Sequence, residues 1–190
     1  MSFLSRLFGS GKSSEGSGDI ESQLRRMEEE AENAVAGYVG TAYNKAGDFA
    51  LREGKQDRAL GYYGRAIDAF LQDAQREAAR GVANKIIRVR PSALRTLCTL
   101  TWLDLAAQHG ATALLHLRDY VTAAKDANQS VRAATQIYAM AKVAQESEFI
   151  NAAADGLDSL NFSKRAKEVR GWTGEREQSD DPGSDRLGKV

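Results

Sequence analysis

Between Tyr43 and Ala66 the chain reads YNKAGDFALREGKQDRALGYYGRA. Small residues fall at Gly47, Gly54, Ala59 and Ala66, and bulky aromatics at Tyr43, Phe49, Tyr62 and Tyr63. Small side chains let two helices approach closely, and rings fill the space opposite them. Gly54 divides the run where the chain must reverse, so the stretch predicts a helical hairpin. A hairpin of this kind needs further helices to cover its remaining apolar faces.

The flanking sequence supplies them. Asp19 is placed to cap a helix in which Ile20, Leu24, Met27, Ala31, Val35 and Tyr38 form one apolar stripe. Its opposite face, with Arg25, Arg26, Glu28, Glu29, Glu30 and Glu32, reads as a solvated surface. The stripe continues through Ala42, Tyr43, Ala46 and Phe49, so residues 20–52 form either one long helix or two broken near Gly37 and Gly40. A further helix over about 56–72 turns Ala59, Tyr62, Tyr63, Ala66, Ile67 and Phe70 inward.

Gly47, the turn Gly54-Lys55, then Ala59, Tyr63 and Ala66 together resemble a tetratricopeptide repeat (TPR), a helix-turn-helix unit of about 34 residues. One repeat is clear, over about 40–73. It departs from the family where Tyr43 replaces tryptophan, Ala46 leucine, Ala50 tyrosine and Leu71 the closing proline. A step of about 34 residues takes Gly47 to Gly81, Ala59 to Ala93, and Tyr63 and Ala66 to Leu97 and Leu100, giving a degenerate repeat over about 74–108. Its first helix is expected near 74–89, its turn at Arg88-Val89-Arg90-Pro91, and its second helix from Pro91 to about His109, ended by Gly110. Leu94, Leu97, Leu100, Trp102, Leu103 and Leu105 surround that last helix, which marks it as the central buried one.

Amphipathic stretches follow at 112–127, 131–145 and 148–160, and a short helix at about 162–170 offers Phe162, Ala166, Val169 and Trp172 as a cap. The expected fold is all-α, a TPR-like stack of about seven antiparallel helices over residues 19–172. A flexible leader at 1–18 and a disordered polar tail at 173–190 are expected to flank it.

Catalytic chemistry finds few pieces. The chain has two histidines and one cysteine, with no HExxH and no P-loop pattern. Cys98, Asp104 and His109 are the only conceivable set, and eleven residues along one helix separate the thiol from the imidazole by about 16 Å. The expectation is a chain that is not an enzyme and takes no cofactor or metal. The single cysteine suits a reducing compartment, with the cytoplasm as the default. No apolar run is long enough to span a bilayer.

The charges balance at 26 basic and 26 acidic residues, so no global field draws the chain to nucleic acid, and that class of partner is disfavoured. Locally, Arg76, Arg80, Lys85, Arg88, Arg90 and Arg95 form a basic run relieved only by Glu77. Its functional reading is a patch for an acidic or phosphorylated partner. The bland alternative pairs these residues with the glutamates of 28–32. The TPR resemblance implies a groove lined by the first helix of each repeat, here Asn44, Asp48 and Arg52, then Ala78, Val82 and Lys85. That mixed lining disfavours the acidic chaperone tails some members of the family bind. Asn44, Asp48, Arg52, Arg76, Arg80, Lys85 and Arg88 are therefore the candidate protein-binding residues. The function expected is a non-catalytic scaffold or adaptor that takes a helix or peptide of a partner protein, with a homo-oligomer left open.

Two rivals stand beside it. Phe3, Leu4, Leu7 and Phe8 form an apolar head with Arg6 and Lys12, too short for a signal peptide but suited to weak docking on a membrane or in complex assembly. A helical bundle enclosing a small ligand or an active site near Cys98, Trp102 and His109 is the other.

Overall fold

The computed structural model describes residues 13–179, with side chains from 18 to 173. These residues form helices and no strand: α1 (Ser13–Glu32), α2 (Val39–Arg52), α3 (Gln56–Gln72), α4 (Arg76–Val89), α5 (Leu94–Ala106), α6 (Gly110–Asp126), α7 (Ser130–Val143), α8 (Ser147–Ser159) and α9 (Ser163–Ser179). Nine helices, rather than about seven, arise because the 20–52 stretch breaks in two and each later stretch forms a helix of its own. The break follows Glu32, with Gly37 at φ 85° before α2 begins.

Several expected boundaries move. Helix α1 starts at Ser13, so Asp19 lies inside it, and its carboxylate accepts a hydrogen bond from the Gln23 amide at 3.0 Å instead of capping the helix. Helix α5 starts at Leu94, leaving Pro91 in the preceding turn. Helix α9 runs to Ser179, beyond the expected start of the tail. The head residues Phe3, Leu4, Leu7 and Phe8 lie outside the described residues, as does 180–190.

The chain divides into two compact units, Met1–Val89 and Arg90–Val190. That boundary falls inside the expected second repeat, so α4 and α5 belong to different units. In the first unit α1, α2, α3 and α4 pack each on the next. In the second, consecutive helices also pack, and α5 with α7, α6 with α8 and α7 with α9 touch as well. The second unit is thus a two-layer stack with α5, α7 and α9 on one side and α6 and α8 on the other. Ala166 and Val169 bury α9 against it.

One turn recurs five times. Gly54, Ala74, Gln108, Asn128 and Asn161 each adopt a positive φ after a helix. In every case the next N–H reaches back five residues to a carbonyl: Lys55 to Ala50 (2.8 Å), Gln75 to Phe70 (2.7 Å), His109 to Asp104 (2.8 Å), Gln129 to Ala124 (2.9 Å) and Phe162 to Leu157 (2.9 Å). This closure satisfies a carbonyl that the helix end leaves open. Five residues past each left-handed position stands an alanine: Ala59, Ala79, Ala113, Ala133 or Ala166. All five are fully or almost fully buried. A methyl group at that point lets the new helix start flush against the old one.

These turns expose an internal structural repeat longer than the expected 34-residue step. Gly110 stands 54 residues beyond Gln56 and Ser130 stands 54 beyond Arg76, and the paired helices are equal in length, at 17 and 14 residues. Helices α2–α4 and α5–α7 are therefore two copies of one three-helix motif, one in each unit. The matched core positions exchange volume between facing helices. Gly40 admits the Phe70 ring, which sits 2.6 Å from where a Cβ would be, whereas the second copy has Leu94 and Ala124 in those places. Gly81, matched to Gly47 by the 34-residue step, is exposed with open space around it.

Candidate functional site

Three of the sequence-chosen residues meet in the first unit. Lys85 on α4 places its Nζ 2.9 Å from Asn44 Oδ1 and 2.6 Å from Asp48 Oδ1, both on α2. The Tyr63 hydroxyl donates to the same Asp48 oxygen at 2.7 Å, and the Lys85 ammonium stands over the Tyr63 ring, 5.4 Å from its centroid. Burial pushes the Asp48 carboxyl up, but the bonds from Lys85 and Tyr63 and the charges of Lys85 and Arg52 outweigh it and hold the pKa below the usual value. Burial, then the bond to Asp48, raises the Tyr63 hydroxyl well above its ordinary range. The cluster is partly open, with the Lys85 and Asp48 side chains 34% and 41% exposed.

The basic run is less of a patch than the sequence suggests. Lys85 is tied to Asp48, Arg80 pairs with Glu77 at 3.4 Å, and the run crosses the unit boundary after Val89. Arg76 and Arg88 are exposed on α4, and Arg52 lies over the Phe49 ring at 5.9 Å. Val82, expected in a groove lining, is buried at 4% exposure. The glutamates of α1 serve α3 instead: Glu28 and Glu32 pair with Arg65, and Glu28 also accepts from the Tyr62 hydroxyl at 3.1 Å. Upstream, Glu21 pairs with Arg58 at 2.9 Å.

The second copy ties its first and third helices by different chemistry, from matching positions on the first helix but a different one on the third. Cys98 and Trp102 take the places of Asn44 and Asp48. The Trp102 indole N–H donates to Gln136 Oε1 at 3.2 Å, and the Cys98 thiol lies 3.9 Å from the same oxygen. Beside this tie, between α5 and α7, opens a cavity of about 350 Å³. Arg95, Cys98, Tyr120, Gln129, Arg132 and Gln136 supply its polar lining. Burial pushes the Cys98 thiol up despite a hydrogen bond with the Tyr120 hydroxyl and the nearby Arg132 charge.

Cys98 and His109 do not meet. Asp104, fully buried, turns to α6, where His116 Nδ1 lies 2.7 Å from its Oδ2. His109 Nδ1 stands farther off, 3.8 Å from Oδ1. Asp104 and His116 occupy the places of Ala50 and Tyr62 in the first copy, both of which are buried. Gly110, expected to end a helix, instead opens α6 and leaves room for the Glu146 carboxylate, which would lie 2.0 Å from a Cβ there. These residues border a second cavity of about 410 Å³. Among the described residues no group of three or more His, Cys, Asp or Glu is placed to hold a metal ion.

Tyr120, Gln129, Arg132 and Gln136 were absent from the sequence-based candidates. The longer internal repeat carries the expected groove positions Ala78 and Val82 onto Arg132 and Gln136, whereas nothing in the sequence singles out Tyr120 and Gln129. No protein-family model and no curated protein matches the chain.

Proposed function

We propose that the chain is a non-catalytic, TPR-like scaffold that binds a helix or extended peptide of a partner protein, through the face that α2 and α4 share in the first unit. The observation that carries this reading is the convergence of Asn44, Asp48 and Lys85 into one partly exposed, pre-ordered polar cluster. Groups already held in place lose little freedom when a partner's backbone or side chain bonds to them. Arg52, Arg76 and Arg88 stand exposed on the same two helices and extend the cluster with positive charge. The lone cysteine fits a cytoplasmic setting. Among the described residues no helix is long and apolar enough to cross a membrane.

The test is affinity capture from the native cell extract, read by mass spectrometry, comparing the full chain with a Lys85→Gln, Arg88→Glu variant. Reversing Lys85 outright would set a second carboxylate against Asp48, so the neutral amide is the cleaner change. The expected result is loss of the captured partner with the helical circular dichroism intact. Unchanged capture would remove this face as the binding site.

A further inference from the structure

The cavity between α5 and α7 is rich in hydrogen-bond donors, and none of its lining residues is acidic. Arg95 stands in the first turn of α5 and Arg132 in the first turn of α7, so two guanidinium groups and two helix amino ends flank one space. Both elements favour an anion, the guanidinium by its fork of N–H groups and the helix end by its dipole.

The orientation of Gln136 follows from its neighbour. An indole N–H can only donate, so the Gln136 oxygen must face Trp102, which leaves the amide NH₂ to offer a ligand. Gln129 adds a second amide at the same wall. Two guanidinium groups and two amides line one space, and a phosphoryl group with three terminal oxygens can use more of these donors than a carboxylate with two. At about 350 Å³ the space exceeds a phosphate alone, so an organic portion would lie against Leu94 and Thr99.

We propose that this cavity binds the phosphoryl group of a phosphomonoester, held by Arg132 and Arg95 with the Gln136 amide completing the set. The first copy lacks such a site: Ala78 and Val82 stand where Arg132 and Gln136 do. The proposal is separate from the scaffold reading, which rests on the first unit, and each can fail without the other.

Trp102 provides the readout. The chain has two tryptophans, so Trp172→Phe in the full-length protein leaves Trp102 as the one tryptophan, selectively excited and bonded to the residue that would meet the ligand. Titration with O-phosphoserine, with phenyl phosphate and with inorganic phosphate should change its emission saturably, and calorimetry on the unaltered protein should give the same affinities. Arg132→Ala should weaken binding by roughly tenfold or more with unchanged melting, as loss of a charge-assisted fork requires, and Arg132→Lys should retain part of it. A phosphoserine peptide binding more tightly than free O-phosphoserine would assign the group to a modified partner. Equal or weaker binding would assign it to a small molecule. Absence of saturation by every phosphomonoester, undiminished binding in Arg132→Ala, or tighter binding of glutarate than of O-phosphoserine would overturn the proposal.

Discussion

The Tyr63 ring fills the place where a side chain on Gly47 would begin: a Cβ there would lie 2.6 Å from two of its carbons. This approach seats α3 on α2 and directs the Tyr63 hydroxyl to Asp48. Gly47→Ala should therefore destabilise the protein by about 1–3 kcal/mol through overpacking, although alanine is the better helix former. Urea unfolding measures it. In a Tyr63→Leu background the penalty should largely vanish, and a penalty that persists there would show that the ring is not its cause.

Gln108 holds a left-handed conformation at φ 58° in the turn that Gly54 makes at φ 71°. A side chain in that region carries a steric penalty that glycine escapes. Gln108→Gly should raise stability by about 1 kcal/mol, seen as a higher melting temperature. A fall in melting temperature would mean that the glutamine side chain supports the turn in some other way.

The buried Asp104–His116 pair yields a prediction with a built-in control. Asp104→Ala takes the hydrogen-bond partner from His116 in a nearly closed site and should destabilise by about 1–3 kcal/mol. Asp104→Ala combined with His116→Phe leaves neither polar group without its partner and should recover much of that loss. Equal losses in the single and double variants would refute the coupling.

Asp48 makes the first unit acid-sensitive. Its folded pKa lies below the ordinary value of 3.8, so the carboxylate contributes stability above that pH and loses it as pH falls through the lower folded value. Asp48→Asn should be less stable than the unaltered protein near neutrality, and the difference should close as the pH drops below 3.8. Melting curves across an acid series give the comparison, and a pH-independent difference would contradict it.

The helices were legible in the sequence because their apolar spacing is strong. The expected helix at 56–72 coincides with α3, and the first hairpin is where Gly47, Gly54 and Tyr63 place it. The repeat length was not legible, because the turn that defines it uses glycine once, at Gly54, and alanine, glutamine or asparagine elsewhere. Gly81 and Ala93 matched a 34-residue step by composition, but Gly81 is exposed and Ala93 precedes α5. The candidate site was partly legible: Asn44, Asp48 and Lys85 converge, yet their mutual neutralisation and the arginine-lined cavity both depend on which helices pack together.

The two copies brace their first and third helices in ways that respond differently to ionic strength. Lys85 and Asp48 form a partly exposed ion pair, whose attraction weakens as dissolved salt screens it within about 10 Å at 0.1 M. The bond from Trp102 to Gln136 joins two neutral groups and has no net charge to screen. Rising salt should therefore loosen α4 from α2 while leaving α7 against α5, so hydrogen exchange at the two braces would diverge within a single chain.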